Sequence, residues 1–159
     1  MIPYNKLREV IPAGLSKYLG ITVIRGNQTA PAPAYPYGTY NVTTIASANN
    51  GTWEMHEDGI DRKLVKSVWS FSLLSDDWDE SVELAIKARD WFDHSGRVWL
   101  ADNGVFVQSV TGITNRDNIL TVDYERKNGF DVTFYVYDEV ETVVNIVGTI
   151  DNYDFNKEV

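Results

Sequence analysis

The amino-acid sequence predicts an α+β fold, a mostly antiparallel β-sheet packed against a central α-helix and an N-terminal helix. Two stretches, Asn5–Leu19 and Asp77–Asp93, repeat apolar residues at three- and four-residue steps, the period of a helix with one buried face. Elsewhere β-branched and aromatic residues come in short runs separated by Asn, Asp and Gly, the punctuation of strands and turns. The 159 residues suit a single hydrophobic core. One domain is expected over residues 1–150, with the polar segment Asp151–Val159 as a flexible tail.

The first helix carries Leu7, Val10, Ile11, Leu15, Tyr18 and Leu19 on one face. Pro12 is expected to kink it or divide it, and Gly20 to stop it. Ile21–Ile24 is a short β-branched strand. Gly26–Pro36, with prolines at 31, 33 and 36, is an extended loop of the length typical of an interface segment. Three strands then follow, Thr39–Ala46, Thr52–Glu57 and Arg62–Leu74. The turns Asn49-Asn50-Gly51 and Asp58-Gly59 between them imply an antiparallel meander.

The central helix opens on acids that suit its positive end, with Ser75 or Asp77 as its cap. Val82, Ala85, Ile86, Arg89 and Phe92 form one stripe, and Leu84, Ala88 and Trp91 a second. So wide an apolar face is expected to be covered on two sides, by the sheet and by something else. His94-Ser95-Gly96 ends the helix, and Arg97–Asp102 fits either a helical turn or a strand start. Val105–Ile113 reads as a strand and Asn115–Asn118 as a turn. Ile119–Lys127 and Phe130–Asp138 flank Asn128-Gly129, the strongest hairpin signal in the chain. Leu120, Val122 and Tyr124 would there face Val132, Phe134 and Val136. Val140–Ile150 fits a further strand or the start of the tail.

Composition narrows the function. Fourteen basic residues stand against 23 acidic ones, a net charge of −9. No cluster of Lys and Arg exists to neutralise phosphates, so stable nucleic-acid binding is disfavoured, whereas an acidic wall would let DNA pass without sticking. There is no cysteine, hence no disulfide, thiolate zinc site or cysteine nucleophile. The N-terminus lacks the pattern of a signal peptide, and no apolar run has the length of a membrane span. The Asn-x-Ser/Thr triplets at Asn27, Asn41 and Asn50 are read as chance spacing.

Catalytic constellations do not emerge. The run Asp76-Asp77-Trp78-Asp79-Glu80 lacks the glycine-turned spacing of a calcium loop, and helix-start electrostatics already explain it. His56 and His94 stand far apart, without zinc-ligand spacing. Nucleophile elbows and glycine-rich phosphate loops are absent. No catalytic, cofactor or metal residue is therefore assigned, and the chain is read as a non-enzyme. Trp69 and Trp91 fall on core faces. Trp53, Trp78 and Trp99 are candidates for a contact surface, where tryptophan is enriched. Arg116 and Arg126, beside acids, are expected to form ion pairs within or between subunits.

Three segments carry a family resemblance: Ala34–Asn41, Ala85–Phe92, and Asn115-Arg116-Asp117 with Val122–Val132. The most specific part is Tyr124-Glu125-Arg126-Lys127-Asn128-Gly129-Phe130-Asp131-Val132. In this order they resemble the neck or tail terminator proteins of long-tailed bacteriophages, also called tail completion or tail-to-head joining proteins. The resemblance covers roughly residues 21–138. It implies a virion protein, assembled in the host cytoplasm, whose subunits form a homo-oligomeric ring, usually a hexamer. Such a ring caps the tail tube, stops its polymerisation and joins it to the head connector, with DNA passing through the centre. The partners implied are the tail-tube and head-completion proteins, with no membrane. The edge strand of one subunit would extend the sheet of the next. On this basis the candidate interface comprises Pro31, Pro33, Tyr35, Tyr37, Trp53, Trp78, Trp99, Arg116, Glu125, Arg126, Asn128 and Phe130. Two alternatives stand beside it: a tail-tube or baseplate subunit, and a small ligand-binding domain or enzyme.

Overall fold

A computed structural model describes residues 1–47, 51–119 and 124–142. Helix α1 spans Tyr4–Leu19 and buries Leu7, Ile11, Pro12 and Leu15. Pro12 does not divide it. The proline removes one helical hydrogen bond, and the row of buried side chains on either side holds the helix together. Gly20, at φ 71°, closes the helix in the left-handed conformation that glycine adopts without strain.

Strand β1 (Thr22–Arg25) runs parallel to β2 (Tyr37–Thr44), the proline loop returning the chain between them. Strand β3 (Ile60–Ser75) is antiparallel to β2. The expected meander is thus shorter by one strand. Thr52–Glu57 pairs with β3 only through Glu54 and Arg62, by backbone bonds of 2.8 and 3.0 Å. Its side chains lie exposed, with Met55 at 86%, so it buries no face that would fix it as a strand.

Asp77 caps helix α2 (Trp78–Asp90), accepting a 3.0 Å bond from Glu80 N. A single π-helical turn, Trp91–Ser95, leads into α3 (Arg97–Asp102), which settles that segment as helix. The two stripes read from sequence resolve into one. Leu84, Ala85, Ala88, Trp91 and Phe92 are buried, while Ile86 points outward at 46% exposure. The sheet covers α2 on one side through β3 and its neighbour β7, and α1 supplies the second cover.

Strands β4 (Phe106–Val110), β5 (Thr114–Asn115) and β6 (Asn118–Ile119) all pair with β7 (Tyr124–Glu141). The sheet order is β1-β2-β3-β7-β4. β7 overturns the predicted hairpin. It runs straight through Asn128 and Gly129, which pair with Leu73 and Ser72 inside one continuous register from Ser75–Arg126 to Ile60–Glu141. Both residues answer packing needs. A Cβ on Gly129 would lie 2.4 Å from the Phe71 carbonyl oxygen, so only glycine admits the neighbouring strand there. Asn128 is buried and donates to Ser81 Oγ at 3.0 Å, and Ser81 donates in turn to Leu73 O at 2.9 Å.

The core lies between the sheet and the helices. Trp69, Phe71, Phe92, Phe130 and Phe134 are fully buried there, with Phe71 and Phe92 ring centroids 4.6 Å apart. On β3, Val65, Ser67, Trp69 and Phe71 face the helices, while Leu64 faces away at 37% exposure. The turn Asn49-Asn50, the proposed partners Leu120 and Val122, the segment Val143–Ile150 and the tail Asp151–Val159 lie outside the described residues.

Candidate interface surfaces

The proline loop and the start of β7 meet at one end of the sheet. Tyr35 and Tyr37 stack at 5.5 Å, and their hydroxyls donate to the same oxygen, Oε1 of Glu125, at 3.2 and 3.4 Å. Burial, then the nearby Glu125 carboxylate, push the Tyr37 hydroxyl up to about 12. The same two causes raise Tyr35. A neutral Tyr37 is therefore favoured in the folded chain. Its stabilising effect is complete below the ordinary tyrosine pKa and is lost as pH rises from about 10 to about 12. Replacing Tyr37 with phenylalanine is expected to flatten the fall in stability across that window, measured by urea unfolding at a series of pH values.

Pro31 is exposed and Pro33 half-buried, so the crest of the loop is available for contact. Tyr35 is 42% exposed, whereas Tyr37 is buried at 5%. The segment after β4 stays paired along the edge of β7 through β5, and from there the Arg116 side chain reaches across β7 to β3. Arg116 Nη1 donates to Ser70 Oγ at 2.7 Å, and Nη2 pairs with Asp131 at 3.1 Å. Arg126 pairs with Asp117 at 3.2 Å. Burial alone would raise Asp117. Bonds from Lys127 N, Arg126 and Asn115 outweigh it and hold the carboxyl below its usual range. Both arginines thus find acids within the subunit, and together these bonds pin the 114–118 turn to β7.

Three of the candidate contact residues are buried within the subunit itself. Asn128, Phe130 and Tyr37 are 3%, 0% and 5% exposed, and Phe130 belongs to the apolar core. Trp53, Trp78 and Trp99 do lie at the surface, at 42–47% exposure. They are not neighbours. Trp53 shares a shallow groove with Met55, Asp61 and Val140 at the far end of the β3–β7 ribbon. Trp78 begins α2. Trp99 lies against Trp91, ring centroids 6.0 Å apart, over Gly14 of α1.

Sequence reading missed an apolar group on the uncovered face of the sheet. Phe106 and Tyr137 pack edge to face at 6.0 Å and remain 38% and 40% exposed. Alternation along β7 was the available signal, and the supposed hairpin hid it. Charge is also segregated in a way the net value conceals. Residues 1–53 hold four cations, Lys6, Arg8, Lys17 and Arg25, against Glu9 alone, so the remaining ten cations face 22 acids.

Among the described residues no group of three or more His, Asp or Glu side chains is placed to hold a metal. Every buried side-chain nitrogen and oxygen among them has a hydrogen-bond partner. No described helix is long and apolar enough to cross a membrane. What the molecule offers is surfaces: an exposed proline loop, open strand edges and scattered tryptophans around a filled core. A family model described as phage neck terminator protein matches residues 5–157. No curated protein matches the chain. By the extent of that match, over nearly its whole length, the chain belongs to the phage neck terminator family, a structural family of the phage tail and neck.

Proposed function

We propose that this chain forms a ring, a hexamer by its resemblance to tail terminators, that closes the phage tail tube. In that role it stops tube polymerisation and presents a docking face to the head or neck connector. The observation that carries the reading is the family match over residues 5–157. An open sheet supports it, because unpaired strand edges and one uncovered face are what a subunit needs to join neighbours. The net charge of −9 supports the passage of DNA, since an acidic wall repels phosphate. The exposed crest of the proline loop around Pro31 and Pro33 and the exposed tryptophans Trp53, Trp78 and Trp99 are the surfaces assigned to subunit or tail contacts.

The test is assembly without the chain. Phage lysates lacking it are expected to hold tails of uncontrolled length and filled heads that remain separate. Adding the purified chain is expected to restore joining. Tails of normal length, joined to heads in its absence, would refute the assignment.

A further inference from the structure

The sheet ends in two short strands that are paired on one side only, β1 at one end and β4 at the other. Each runs beside a groove formed with a helix. The β1 groove, about 400 Å³, lies against α1 and takes in Arg8 and Arg25. The β4 groove, about 250 Å³, lies against α3 and takes in Val98 and Phe106, which are 73% and 38% exposed.

The charges at the two ends are of opposite character. Beside β1, Arg8 and Arg25 are exposed, and among the described residues neither makes an ion pair or a side-chain hydrogen bond; Glu9 is the one acid lining the same groove, so its balance is positive. Beside β4 the cations are already held by their own chain. Arg97 pairs with Asp93 and donates to Val107 O at 2.6 Å, and Arg89 donates to Thr111 O at 3.1 Å. Asp90 and Asp102, the last residues of α2 and α3, are exposed and among the described residues have no such partners.

We propose that the β1–α1 edge of one copy docks on the β4–α3 edge of a second copy, continuing the sheet from subunit to subunit. This rests on the ring reading above and names the surfaces that would build it. The occupant is another copy because the complementarity is internal to the chain: cations without partners at one end, acids without partners at the other, and an open strand at each. The contact joins two different surfaces, so it repeats head to tail and closes when the rotation permits. Apolar Val98 and Phe106 lie at its centre and the charges at its rim, where they set orientation and keep chains that each carry −9 from repelling one another.

The chain has no cysteine, so an introduced pair reports one contact. Thr22 of β1 and Gln108 of β4 are exposed. A full-length T22C/Q108C variant treated with a bismaleimide that tolerates a one-residue slip is expected to give a covalent ladder ending at a closed ring. Each single variant should give no ladder. Arg8→Glu with Arg25→Glu is expected to raise the concentration needed for assembly by roughly tenfold or more. Adding Asp90→Lys and Asp102→Lys should restore it, and circular dichroism would confirm that each variant is folded. If the parent chain has the mass of a ring but the double variant yields no ladder, this surface is overturned and the ring stands. If the parent chain stays a monomer, with and without tail tubes, the ring falls and this contact with it.

Discussion

Replacing Phe130 with alanine is expected to cost roughly 3–5 kcal/mol of folding stability. Phe130 is 0% exposed and packs against Phe71 and Phe92, with ring centroids about 6 Å from each. Truncation removes the transfer free energy of the ring and leaves a cavity that the flanking strands, locked by β3–β7 pairing, close only in part. For a chain of this size the melting temperature should fall by roughly 6–20 °C. Had residue 130 stood beside a hairpin turn at the surface, the same change would lie within about 0.5 kcal/mol of neutral. Thermal unfolding separates the two, and a small shift would contradict the continuous strand.

Gly129→Ala carries the second large effect, and its sign is informative. In an open strand alanine is favoured over glycine by about 0.5–1 kcal/mol, because glycine loses more backbone freedom on folding. Here the new methyl would meet the Phe71 carbonyl oxygen at 2.4 Å and the Ser72 hydroxyl at 2.8 Å. The carbonyl is backbone and cannot swing aside, so β3 and β7 must move apart at the centre of the sheet. Overpacking wins, and a loss of about 1–3 kcal/mol is expected in urea unfolding. Unchanged or increased stability would show that the strands do not approach so closely.

These two positions also mark where the sequence was legible and where it misled. Helix α1, the Asp77 cap of α2 and the burial of Trp69 and Trp91 follow from apolar spacing and end-of-helix chemistry, which act locally. Asn128-Gly129 misled because one dipeptide serves two physical purposes. Glycine permits a turn, but it also permits close strand approach, and only the partner strand decides between them. A clue was available: β3 reads as one long strand, and such a strand needs a partner of similar length, which two short hairpin arms cannot supply. The parallel β1–β2 pair was hidden for the same kind of reason, since strand direction depends on where the proline loop returns the chain.

Surface exposure was legible in part. Exposure of Trp53, Trp78 and Trp99 followed from their mismatch with the core stripes. Tyr37, in Ala34–Asn41, and Asn128 and Phe130, in Val122–Val132, stand in segments that carry the family resemblance, and all three are buried within the subunit. The exposed pair Phe106 and Tyr137 and the unpaired cations beside β1 were invisible to a search for motifs, because they arise from strand order and not from local sequence.

The central claim is that the chain acts by closing a ring at the end of a tail. The most direct measurement is the absolute mass of the purified chain by light scattering, with negative-stain images of the same peak. The account predicts a single closed ring with an open centre and no further growth as concentration rises. Long stacked tubes would contradict it and identify a subunit that elongates the tail instead of ending it.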